Sequence, residues 1–187
     1  MFSAALLILL TLGFANDVWA SDGRVFGVEL GGYCEITVEK PITNAAGGKL
    51  VNFDCEKPKP QTDQFFHSVE IDVTPISNTI WQVVARSKFL EKEACEETSR
   101  ILEKRVAAKR NAHFPCPIWG FGYKAGKMCF HIFCAPNLDP NKQQIQAEFF
   151  HNEIYPEQWK AEVIEYYREV KEEHERKAID GIDLDKF

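Results

Sequence analysis

The 187-residue sequence offers six cysteines and five histidines as reactive side chains, and one stretch brings them close together: Cys129-x-His131-x-x-Cys134, with His113-x-x-Cys116 upstream. Thiolate and imidazole at short spacing are zinc ligands. Strand geometry argues against a zinc site here. In an extended segment from Met128 to Cys134, Cys129 and His131 share one face, while Cys134 lies an odd number of steps from Cys129 and points to the other. Five steps of about 3.4 Å also place Cys129 roughly 17 Å from Cys134, beyond the ~7 Å that a disulfide can bridge. The two thiols therefore have different partners, and neither a metal nor a cofactor is expected.

An even number of cysteines in a chain that reads as exported favours disulfides. Lys124-Ala125-Gly126 reads as a three-residue hairpin loop, with Gly126 where a left-handed conformation is wanted and Tyr123 facing Lys127. That alignment sets Cys116 opposite Cys134, Trp119 opposite His131, Phe121 opposite Cys129 and Gly120 opposite Phe130. The expected bridges are Cys116 with Cys134, Cys34 with Cys55 as a local loop closure, and Cys95 with Cys129 by elimination. Cys95 with Cys134 is the rival, because the helix carrying Cys95 should cover the face opposite to Cys129.

The same alignment sorts the hairpin into two faces. Ile118, Gly120, Gly122, Met128, Phe130 and Ile132 form the face assigned to the core, where two glycines leave room for a helix. Trp119, Phe121, Tyr123, Cys129, His131 and Phe133 form the other. So much aromatic surface is too apolar to be left in water without a cause. Either the segment from Cys34 to Phe66 folds over it as a second small core, or Trp119, Phe121, Tyr123, His131 and Phe133 are a binding surface. Large rings with a polar handle and few rotors are the usual anchors of such surfaces.

No catalytic motif is visible. A Gly-x-Ser-x-Gly elbow, a phosphate-cradling glycine loop and a His-Glu-x-x-His helix are all absent from the sequence. His67, Ser68 and Asp72 lie on one expected strand, where neighbours point to opposite faces and cannot form a triad. His151 next to Glu153 resembles an oriented base, but no nucleophile accompanies it.

These residues need elements to hold them. The alternation from Arg24 to Leu30 predicts a first strand ending at Gly31-Gly32, and the stretch from Cys34 to Gln64, with Gly47-Gly48, Pro58 and Pro60, reads as irregular. Val69 to Val73 and Thr79 to Ser87 predict a hairpin turning between Pro75 and Asn78. The spacing of Ala94, Thr98, Ile101, Leu102 and Val106 predicts a helix over 91–109. The order then repeats: a strand over 128–134, a turn over 136–142, a strand over 145–150, and a helix opening at Pro156 whose apolar face is Trp159, Val163, Tyr166, Tyr167 and Val170. A shift of 65 positions superposes the two runs, Ile80 on Ile145 and Val84 on Phe149. The expected fold class is α+β: a two-layer sandwich of an antiparallel sheet with two helices on one face, and the repeated order admits two tandem ββα units.

Residues 1 to 20 hold an apolar run from Leu6 to Phe14 that is too short to span a bilayer, followed by Val18-Trp19-Ala20, and read as a cleaved signal peptide. An uncleaved anchor is the alternative. Residues 21 to 187 then form one disulfide-stabilised domain. The formal charge of the whole chain is −6; Asp17 leaves with the leader, so the remainder carries −5, which disfavours nucleic acid as a partner. Asp180, Asp183 and Asp185 lack calcium-loop spacing and read as a solvated tail. The expectation is an exported, periplasmic or secreted, non-catalytic protein that binds a protein partner, as an inhibitor, an immunity-type neutraliser or an envelope accessory factor. The alternatives are a small hydrolase with a site assembled from distant residues, and a carrier of an apolar ligand.

Overall fold

A computed structural model describes residues 23–43, 49–62, 64–155 and 157–180. The expected signal peptide, Gly47-Gly48, Pro156, the side chain of Val170 and the acidic tail beyond residue 180 lie outside the described residues.

The protein has an α+β fold built on one seven-stranded antiparallel sheet. A small hairpin, β1 (Arg24–Val25) and β2 (Val28–Glu29), precedes it. The sheet contains β3 (Glu35–Thr43), β4 (Lys49–Lys57), β5 (Phe66–Val73), β6 (Ile80–Glu91), β7 (Tyr123–Ala125), β8 (Met128–Ala135) and β9 (Lys142–His151). Helix α1 (Lys92–Lys109) follows β6, and helix α2 (Glu157–Asp180) follows β9. In space the strands run β3-β4-β5-β6-β9-β8-β7. The order strand, strand, helix therefore occurs twice, and the second strand of each run, β6 and β9, meet at the middle of the sheet.

The main core lies between α1 and one face of the sheet. Val83 and Ala85 on β6, Phe130 and Ile132 on β8, and Ile145, Ala147 and Phe149 on β9 are all buried there, with Leu102 and Val106 from the helix. Alternation makes this face out of every second residue of each strand. Cys95, Ser99, Leu102 and Val106 are the buried stripe of α1. This stripe is turned one residue from the expected Ala94, Thr98 and Ile101, because the bond from Cys95 to Cys134 draws that side of the helix onto the sheet. Glu93 in the first turn and Lys109 in the last complement the helix dipole.

Phe26 plugs the end of the core. It is fully buried at the tip of the β1–β2 hairpin, edge-on to Phe66 and Phe149 at 5.4 and 6.1 Å between ring centres. Helix α2 is anchored at three points: Trp159 packs against Trp81, Tyr166 packs against the main core, and Glu162 binds the β5–β6 turn. The Glu162 carboxylate accepts the backbone N–H groups of Ile76 and Ser77 at 3.0 and 2.8 Å and the Ser77 hydroxyl at 2.7 Å. Burial alone would raise the pKa of Glu162, but the hydrogen bonds from Gln158, Ser77 and Thr74 together hold it below the usual carboxylate value.

Three expectations are corrected. The first strand is split, with the chain reversing at Phe26 and Gly27 to make β1 and β2. The stretch from Cys34 to Gln64 is largely β3 and β4, paired from Glu35↔Lys57 to Thr43↔Lys49. Most consequentially, Gly126 and Lys127 form a two-residue turn: Ala125 faces Met128, Lys124 faces Cys129 and Tyr123 faces Phe130. Gly126 has φ +58°, as the first central residue of a tight hairpin turn requires. The partner of Tyr123 moves three positions, from Lys127 to Phe130, and an odd shift exchanges the faces.

The bridges change accordingly. Cys34 is bonded to Cys55 as expected, Cys95 to Cys134, and Cys116 to Cys129, with Cα separations of 5.4, 5.9 and 5.8 Å. The expected Cys116–Cys134 and Cys95–Cys129 bridges are not formed. Cys134 shares the face of Phe130 and Ile132, which α1 covers, so the rival Cys95 pairing is the one geometry permits. Cys116 precedes a stretch, 117–122, that is folded rather than extended: Trp119 and Gly120 turn back to donate to the Cys116 carbonyl.

Candidate binding site

On β8, Cys129, His131 and Phe133 project from the face opposite to α1. The bond from Cys116 to Cys129 fixes the start of the folded loop beside that face. Gly122 fixes its end, with φ +71° and so close to β8 that a Cβ there would come within 2.6 Å of the Phe130 carbonyl oxygen. Between these two points the loop lays Trp119 and Phe121 over the strand.

The result is a continuous row of rings. Phe133 stacks on His131 at 5.0 Å and 14°, and His131 meets Phe121 edge-on at 5.1 Å. Phe121 stacks on Trp119 at 5.6 Å, and Trp119 stands perpendicular to Phe150 at 4.0 Å. From Phe150 the row continues through Tyr155 and Trp81 to Trp159. Exposure peaks at Phe121: Trp81 and Phe150 are 6% and 5% exposed, Trp119, His131, Phe133, Tyr155 and Trp159 are half-buried, and Phe121 is 49% exposed. Four of the five residues singled out by sequence, Trp119, Phe121, His131 and Phe133, are brought together. Tyr123 is not among them; it stacks on Phe130 at 5.7 Å and 18°, on the core side, with Phe114 edge-on to it.

Trp81, Phe150, Tyr155 and Trp159 belong to the same row and were missed. Trp159 was visible as part of a helix face, and the Phe149-Phe150 pair necessarily places one ring on each side of its strand. Which ring joins Trp119 depends on long-range pairing that no local pattern carries.

Polar side chains border the row. Across the sheet, Glu70, Val84, Glu148 and His131 lie side by side, as do Ser68, Arg86, Gln146 and Phe133. Arg86 is ion-paired to Glu70 at 2.7 Å and donates to Gln146 at 3.3 Å, and Gln146 donates to Glu148. His131 Nδ1 lies 2.7 Å from Glu103 Oε1, a contact from α1 made around the edge of β8.

All six cysteines are bonded, so no thiol is free as a nucleophile or ligand. Among the described residues no group of three or more His, Cys, Asp and Glu side chains is placed to hold a metal ion, and no helix is long and apolar enough to cross a membrane. His151 is buried at the end of β9; burial, and to a lesser degree Lys127, lower its pKa against the opposing pull of Glu153. Its ring lies away from the aromatic row, beside Gly31. No protein-family model, no curated protein and no solved structure matches the chain.

Proposed function

We propose that the protein is exported and acts without catalysis, by holding a partner protein against the row formed by Phe133, His131, Phe121 and Trp119. The observation that carries this reading is the half-exposed Phe121, presented by a loop that a disulfide and a close glycine contact both constrain. A rigid aromatic anchor loses little conformational entropy on binding, which is what makes such residues dominate interface energetics. Export is supported by the leader-like first twenty residues and by three disulfides, which persist in oxidising compartments. The acidic balance argues against nucleic acid as the partner. The test is capture from native envelope or medium with the oxidised protein, followed by identification of what is bound. Phe121→Ser, at a half-exposed position, should leave the fold intact and weaken capture at least about ten-fold; capture unaltered by Phe121→Ser and Phe133→Ala would refute the site.

A small hydrolase is the second reading, favoured by one observation. Glu103 holds Nδ1 of His131, the arrangement that orients an imidazole base and leaves its other nitrogen for a substrate. A hydrolase would lose turnover in His131→Gln and in Glu103→Gln alike, because both remove the oriented base.

A further inference from the structure

We infer that the cleft between the β1–β2 hairpin, the end of α1 and the β7–β8 turn is a binding site for a carboxylate carried on a small apolar group. The cleft has a volume of about 360 Å³ and is lined by Glu29, Leu30, Arg110, Lys127, Met128 and His151, together with Gly23, Ala125 and Gly126. That size lies within the range of roughly 300 to 1,000 Å³ typical of small-ligand sites.

Its charge is unbalanced. Arg110, just past the end of α1, donates from Nη2 to the Arg24 carbonyl at 2.9 Å, while its Nε is buried without an acceptor. Among the described residues no carboxylate pairs with it, and burial lowers its pKa. The two acids nearby are engaged elsewhere: Glu29 is 3.6 Å from Arg24, and Glu153 is 2.9 Å from Lys127. A partly desolvated guanidinium without a counter-charge is costly, and an anion entering beside it would recover that cost. His151 adds a neutral donor. Its Nδ1 accepts the backbone N–H of Glu153 at 3.3 Å, so the proton of the neutral ring is on Nε2. The ring is held in place by Gly31, where a Cβ would come within 3.1 Å of Cδ2.

Arg110 and His151 line the polar side of the cleft, with Lys127 at its rim already paired to Glu153, and Leu30, Ala125 and Met128 supply the apolar side. A planar carboxylate matches the guanidinium fork, and a short aliphatic group matches the rest. Two sources share this chemistry, a free organic acid and the carboxy-terminus of a peptide. None of the aromatic row lines the cleft, so the inference stands independently of the proposed partner surface.

The test uses the full oxidised protein, titrated with isobutyrate and with acetyl-Gly-Gly-Val bearing either a free or an amidated terminus. Amide signals of Gly23 and Gly126 and the ring signals of His151 are followed by NMR. Saturable shifts with isobutyrate, with the free peptide or with both are expected, and their relative strength identifies the source. Lys127→Met, at a solvent-exposed ammonium, should weaken binding about two- to three-fold, and Arg110→Lys, which keeps the charge and loses the fork, about ten-fold. The inference is overturned if neither acid saturates by about 10 mM, if the amidated peptide binds as well as the free one, or if folded Arg110→Lys binds unchanged.

Discussion

Glu103 and His131 join helix α1 to the open edge of strand β8: one carboxylate oxygen lies 2.7 Å from the imidazole Nδ1 and accepts the backbone N–H of Ile132 at 3.2 Å. Strand β7 pairs with β8 only as far as Phe130, so the N–H of Ile132 would otherwise face outward unpaired. The side chain of Glu103 stands in for the missing strand, and an edge so capped is a poor template for pairing with another chain. Glu103→Ala should cost about 1 to 3 kcal/mol and lower the melting temperature by several degrees at this chain length. Hydrogen exchange at Ile132 should accelerate more than at Phe130, whose neighbours are paired on both sides.

The three bridges are checked directly by digestion of the oxidised protein and mass spectrometry. Linked peptides should join Cys34 to Cys55, Cys95 to Cys134 and Cys116 to Cys129. Replacing each pair by serine should cost stability in the order of the chain each closes. The 39-residue separation of Cys95 and Cys134 implies about 4 kcal/mol and the 13-residue separation of Cys116 and Cys129 about 3 kcal/mol.

Two glycines of the same loop make a controlled comparison. Gly120 and Gly122 both have φ +71°, but a Cβ on Gly120 meets nothing within 4 Å, whereas on Gly122 it would lie 2.6 Å from the Phe130 carbonyl oxygen. Gly120→Ala should cost about 1 kcal/mol, for the left-handed backbone alone. Gly122→Ala should cost roughly 3 kcal/mol or more and displace Phe121 from His131, which denaturant melts and the ring-current shift of His131 would register.

The stability of the protein should fall with acidification below about pH 6.5 in a manner traceable to His151. Its folded-state pKa is below 6.5, chiefly through burial, with Lys127 assisting and Glu153 opposing. Below that pH the unfolded chain takes up the proton first, so its bound-proton number exceeds that of the folded state and stability drops as pH falls. The contribution is complete above 6.5 and is lost as pH falls toward the folded value. His151→Gln should flatten this segment of the stability profile; an unchanged slope would show that the ring titrates alike in both states.

What the sequence made legible was what local pattern encodes. The β5–β6 hairpin, α1, the strands over 128–134 and 145–150 and the second helix all follow from alternation, 3.6-residue spacing and turn residues, and they are present. Strands β3 and β4 were hidden because Gly47-Gly48, Pro41 and a high content of Lys, Glu and Asn mask the apolar alternation of Ile36 and Val38. The misplaced register at Gly126 has a single cause: a glycine serves equally as the left-handed residue of a longer loop and as the first residue of a two-residue turn. Gly31 and Cys34 donate to the carbonyls of Ile80 and Asn78, and the Gly32 carbonyl accepts from Ile80, contacts that no local rule anticipates. At the candidate site, Trp119, Phe121, His131 and Phe133 were grouped from an extended hairpin that is not formed; they meet instead because the loop bends back over its own strand, which local pattern did not show. Tyr123 was assigned to the wrong side because its place depends on the turn alone.

In the seven-stranded sheet, every pairing but one joins strands consecutive along the chain; the exception is β6 with β9, where Ala85 faces Ala147. Nearly all of the non-local closure in the sheet is thereby concentrated in a single seam. Each hairpin on either side closes over a short span and is entropically inexpensive, whereas the seam unites residues more than a helix and a folded loop apart. Ala85 and Ala147 also belong to the one core that both halves share beneath α1, so a polar or bulky residue at either would strike the seam and the core together, and neither half could shelter its apolar face alone.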